Sequence, residues 1–102
     1  HELKDPRAEE LARRAYEAAP KSAAVLDTYG VILSAKGDPK AVQVMRDAVA
    51  AAPTAPQIRL HYAEALAKAG DKASAKVEVQ TVLKAVSEGP VAEQAKALEA
   101  KL

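Results

Sequence analysis

Apolar residues recur at intervals of three and four along most of this chain, and Gly and Pro reset the interval. That period places them on one face of an α-helix. Residues 26–53, LDTYGVILSAKGDPKAVQVMRDAVAAAP, show it most plainly. Leu26, Tyr29, Gly30 and Leu33 come first, a break follows at Gly37-Asp38-Pro39, and Ala41, Val42, Met45, Ala48 and Val49 continue until Pro53. Two helices joined by a tight turn are predicted, and the unit is heard again on both sides. KAGD at 68–71 repeats AKGD at 35–38 after 33 positions, and RAYEAAP, ending at Pro20, resembles RDAVAAAP, ending at Pro53. A two-helix repeat of this length signals a solenoid, because one hairpin can hide its apolar face only against the next.

Six helices follow from the pattern and its punctuation. The first opens with Asp5 as cap and Pro6 at its first position, and runs to Ala19 with a stripe of Ala8, Leu11, Ala12, Ala15, Tyr16 and Ala19. The second spans Ser22 to Gly37. Gly30 in its middle costs about 1 kcal/mol relative to Ala, a cost that a close helix crossing would offset. The third starts at Asp38-Pro39 and ends near Ala52. The fourth is expected to open at Thr54, with Gln57 completing a capping box, and to pack through Ile58, Tyr62, Ala63 and Leu66 up to Gly70. The fifth starts at Asp71 and carries Ala75, Val79, Val82, Leu83 and Val86. After Gly89-Pro90 a sixth shows only a narrow stripe of Val91, Ala95, Leu98 and Leu102, which suits a helix closing the end of a stack.

These residues resemble the tetratricopeptide repeat (TPR) family. Leu26, the Tyr29-Gly30 pair, Leu33, Ala41, Met45, Ala48 and Pro53 follow the order of its pattern, as do Tyr62-Ala63, Leu66, Gly70, Ala75, Val79 and Val82 in a second copy. Two departures stand out: the turn after Gly37 is one residue short, and Arg59 occupies the place of the first large apolar residue. Ala8, Ala12, Ala15 and Pro20 match a second-helix half alone. The resemblance implies an all-α, right-handed TPR-like α-solenoid of about six antiparallel helices forming one domain. Its parts would be a half repeat over 5–20, repeats over 22–53 and 54–87, and a capping helix over 90–102. A first helix with no partner before it suggests a C-terminal fragment of a longer repeat protein. Self-association through its open face, at Leu3, Leu11 and Tyr16, is then expected. PQIRLHYAEALAKAG and GPVAEQAKALEAKL further resemble the C-terminal part of bacterial TPR proteins of exopolysaccharide export, the PEP-CTERM-associated TPR lipoproteins. That resemblance implies a periplasmic or membrane-anchored parent.

Composition narrows the chemistry. With 15 basic and 14 acidic residues the formal net charge is +1, so no bulk field recruits nucleic acid. The absence of cysteine excludes a disulfide scaffold, a thiolate metal site and a cysteine nucleophile. No apolar run approaches the roughly 20 residues of a membrane span. His1 and His61 are the only imidazoles. His61 has Glu64 three positions on and could meet Asp27 across a neighbouring helix, but the expectation is a solvated surface histidine. Ser22 and Thr54 read as caps, and Glu9 and Glu10 as a solvated face beside Arg13 and Arg14. No catalytic residue, metal ligand set or cofactor site is expected, and the chain does not read as an enzyme.

What remains is a surface for a protein or peptide. In TPR-like stacks the first helices of successive repeats line the concave face. The resemblance puts the groove positions at Ala24, Asp27, Val31 and Ser34 in the second helix, and at Gln57, Leu60, Glu64 and Lys68 in the fourth. Chaperone-binding members hold a peptide carboxylate with Lys, Arg and Asn at such positions. Asp27, Val31, Leu60 and Glu64 stand there instead, so a carboxylate clamp is not expected. A small, mildly acidic groove would suit an apolar or basic peptide. The alternative is a structural spacer or accessory segment of a bacterial polysaccharide or protein export and assembly system.

Overall fold

The computed structural model describes residues 6–102, so the expected Asp5 cap and Leu3 lie outside the described residues. The described residues form six helices: α1 (Pro6–Ala18), α2 (Ala23–Lys36), α3 (Lys40–Ala51), α4 (Pro56–Lys68), α5 (Lys72–Ala85) and α6 (Pro90–Glu99). Among the described residues there is no strand. The helices α2 and α3, and α4 and α5, form the closest pairs. Each hairpin then touches the next through α3 against α4 and α2 against α4, and α6 meets α4 and α5 in the same way. Among the described residues α1 packs on α2 and on no other helix. Contacts thus run only between neighbours, as in a stacked repeat rather than a closed bundle.

The punctuation of the sequence becomes the turn geometry. Gly37, at φ 77° and ψ 22°, is left-handed and ends α2. Its N–H donates to the Ser34 carbonyl (3.0 Å), and the Asp38 N–H donates to that of Leu33 (2.9 Å). One repeat on, Gly70 N–H bonds Ala67 and Asp71 N–H bonds Leu66 at 3.0 and 2.9 Å. This paired reverse bonding satisfies helix-end carbonyls, and glycine adopts the required left-handed backbone without a Cβ clash. The next helix starts at once: Asp38 Oδ1 accepts from Lys40 N, and Asp71 Oδ1 accepts from Ser74 N, at 2.9 and 3.1 Å.

The start of α4 differs from the expected capping box. Ala55 is its N-cap, with Pro56 in the first turn and no side-chain cap bond. A residue before proline is pushed out of the α region, and Ala55 is extended at φ −88° and ψ 104°. That moves the helix start past Thr54, so Thr54 and Gln57 do not form the box.

Two apolar clusters share α4. The first gathers Ala12, Leu26, Tyr29, Ile32, Leu33, Ala41, Val44, Met45, Ala48 and Ala65, with Tyr16, Ile58 and Tyr62 against it. The second joins Leu60 and Ala63 to Val79, Val82 and Ala95, with Val91 and Leu98 alongside. Gly30 sits inside the first cluster, and its φ is not positive, so space alone explains the glycine. A Cβ there would run into the Met45 Sδ and stand 2.8 Å from Met45 Cγ. Arg59 replaces an apolar contact with polar ones, reaching Glu78 Oε1 on α5 at 2.6 Å and the Pro53 carbonyl at 3.1 Å.

The open face expected on α1 is corrected in part. Leu11 is 64% exposed, as a free surface requires. Tyr16 instead packs inward, with its ring centroid 5.0 Å from that of Tyr29 and the planes tilted by 31°. An aromatic pair at that separation is favourable, so Tyr16 belongs to the α1–α2 contact rather than to the open face.

Candidate partner-binding groove

The eight expected groove positions do not share one surface. Val31 and Ser34 from α2 meet Glu64 and Lys68 from α4 in one depression of about 270 Å³, where Ala35 and His61 complete the lining. On α4 the residues Gln57, His61, Glu64 and Lys68 are spaced four, three and four, which makes a single stripe along the helix. Gln57 is exposed in the first turn but does not line the depression. Ala24 is also exposed, and it borders a separate hollow of about 210 Å³ with Ala12, Ala15, Val25 and Thr28, between α1 and α2.

Leu60 is not a groove residue. It is 0% exposed and belongs to the second cluster, with Val79, Val82 and Ala95. The physical reason lies in the repeat itself. Leu60 comes 33 positions after Asp27 and holds the corresponding place on α4. Each faces the helix that follows, α4 for Asp27 and α6 for Leu60. A partner with a matching polar group keeps Asp27 hydrophilic, while the apolar side of α6 seals Leu60 from water.

Asp27 finds that polar partner in His61, whose Nδ1 lies 2.7 Å from Asp27 Oδ1. The two side chains are 21% and 22% exposed, so His61 is not the freely solvated histidine expected from its helix alone. The hydrogen bond to Asp27 raises the proton affinity of the imidazole above its ordinary value, against the opposing effect of burial. Glu64 adds to the rise through its charge. Glu64 and Lys68 themselves are exposed and form no ion pair among the described residues. The groove therefore combines an apolar wall, Val31 and Ala35, with a carboxylate and an ammonium that still have free hydrogen-bonding capacity. Its neighbour at the α2–α3 turn, a hollow of about 180 Å³, shares Ser34 and Lys68 and extends it toward Gly37 and Asp38.

Among the described residues no three His, Asp or Glu side chains gather as metal ligands, and no helix is long and apolar enough to cross a membrane. A tetratricopeptide repeat family model matches residues 39–102, which takes in the whole α3 to α6 stack just described. The chain belongs to the tetratricopeptide repeat family. TPR repeats are generally protein–protein interaction modules and typically serve as non-enzymatic scaffolds. No curated protein and no solved structure matches this TPR chain.

Proposed function

We propose that this TPR domain holds an extended segment of a partner protein on the face where α2 and α4 lie side by side. The supporting observation is the shared depression: Val31 and Ser34, chosen by position in one helix, meet Glu64 and Lys68, chosen by position in another. Packed neighbours fix these helices, so the groove is formed before any ligand arrives, which lowers the ordering cost of binding. Asp27, Val31, Leu60 and Glu64 stand where a carboxylate clamp would need Lys, Arg and Asn, so the segment is held along its length rather than by its C-terminal carboxylate.

Binding of arrayed, end-blocked hexapeptides to the chain tests the reading. Sequences retained by the wild type are expected to be lost with Val31→Asp, which charges the apolar wall. They are expected to remain with Val77→Lys, a change at an exposed site on α5. Retention by no sequence, or equal retention by Val31→Asp, favours the competing reading. In that reading the neighbour-only packing serves as a rigid spacer, as in an export or assembly machine, and the groove is ordinary solvated surface.

A further inference from the structure

The Asp27–His61 contact ties together the first helices of two successive hairpins, and no other side-chain hydrogen bond among the described residues joins α2 to α4. The His61 ring also lines the groove, and its Nε2 has no partner among the described residues. The groups that act on the imidazole are Asp27 from α2 and Glu64 from its own helix. Among the described residues of the other helices packed on α4, namely α3, α5 and α6, no charged group acts on the ring: Arg46 of α3 bonds Tyr62 and Glu78 of α5 bonds Arg59, while Lys68 lies in the same groove. With a neutral imidazole the groove residues, together with Asp27, which bonds His61 without lining the depression, carry two carboxylates, Asp27 and Glu64, against one ammonium, Lys68. Protonated His61 would bring them to neutrality. Beside these charges, Val31 and Ala35 are one turn apart on α2 and form the aliphatic wall.

Building on the binding reading above, we propose that the groove takes a partner segment in which lysine or arginine adjoins an aliphatic residue, and that proton uptake by His61 releases it. The aliphatic side chain seats on Val31 and Ala35, and the cation faces Glu64 and Asp27. When the imidazole gains its proton, Asp27 becomes the counter-ion of His61 and is no longer available to the ligand. Loss of one unit charge near a water-facing site is worth about three- to fivefold in affinity for a cation. Because the proton sits on a ring that also bridges two repeats, the same event alters both the charge of the groove and the tie across it.

Two measurements on the 102-residue chain test this. The first follows the His61 ring signals by NMR against pH, with the backbone amides of Val31, Ala35 and Glu64 as reporters of the groove. Titration above the ordinary imidazole value, with the three amides following the same curve, is expected. In Asp27→Asn the His61 midpoint should fall. A midpoint at or below the ordinary value in the wild type overturns the gate. The second measures fluorescence anisotropy of a labelled, end-blocked peptide of alternating lysine and leucine, beside a counterpart with glutamate for lysine. The lysine peptide should bind about three- to fivefold more weakly at pH 5.5 than at pH 8, and the difference should vanish in His61→Gln whatever that change does to affinity. A pH dependence that persists in His61→Gln overturns the gate alone. Absence of binding by the lysine peptide at either pH, or tighter binding of the glutamate peptide at pH 8, overturns the assignment of the ligand.

Discussion

Replacing Gly30 by Ala opposes two effects of known sign. In a helix interior the change favours folding by about 1 kcal/mol, because glycine has more backbone freedom to lose. Here the added methyl meets Met45, whose side chain is fully buried, at a Cγ distance of 2.8 Å, with Val44 Cγ1 at 3.4 Å behind it. Overpacking of a filled core costs about 1–3 kcal/mol. The expected net result is a loss of up to about 2 kcal/mol, and each kcal/mol lowers Tm by about 4–8 °C in a domain of this size. Removing the obstacle reverses the sign. Met45→Ala alone should cost about 2–5 kcal/mol through the cavity it leaves. In that background Gly30→Ala should stabilise, since the new methyl fills part of the void and the helix propensity gain is recovered. Urea denaturation followed by the helical circular dichroism signal, across all four members of the cycle, reads the coupling directly. Gly30→Ala raising the stability of the wild type by its full propensity gain would refute the close α2–α3 crossing.

The remaining predictions address the site and its frame. Leu60→Ala should destabilise the chain by about 2–5 kcal/mol, as expected of a core residue; a neutral result by the same denaturation assay would return Leu60 to the surface. The tie between Asp27 and His61 carries a sign that can be worked out. The folded state raises the proton affinity of His61 above its ordinary 6.5. Its stabilising contribution is therefore fully present below that value and is lost as pH rises through the higher, folded-state value. Thermal denaturation should show this loss in the wild type, and Asp27→Asn should flatten it. Arg59→Ala leaves Glu78 without its cation where both side chains are mostly covered, at 20% and 18% exposure. A loss of about 1–3 kcal/mol is expected, while Arg59→Leu, which restores an apolar residue, should lose less in the same measurement. Leu11→Lys should change stability by no more than about 0.5 kcal/mol. If the exposed face of α1 drives self-association, the same change should lower the apparent mass in light scattering at high concentration.

The helices and their ends were legible because their causes are local. Asp71 caps α5, Asp38 accepts from Lys40 N at the start of α3, Gly37 and Gly70 take the left-handed backbone at the turns, and the 33-residue echo places Leu33 and Leu66 at equivalent buried sites. The one missed helix start, at α4, was also local: Pro56 fixed the boundary more strongly than Thr54 could. Tertiary structure decided which sides of each helix met water. A period of 3.6 identifies a face but not the element that covers it, and in a stack a first helix is covered both by its own partner and by the next hairpin. So Asp27 and Leu60, at one repeat position, became a largely covered hydrogen-bonding contact and a sealed core residue, according to whether α4 or α6 lay above them. Tyr16 turned inward for the same reason, because Tyr29 of α2 offered it a ring to pack on. The sequence by itself determined the repeat and its turns. The groove's real lining, and the pairing of His61 with Asp27 beside it, came from side chains 34 positions apart brought together by the packing of one hairpin on the next.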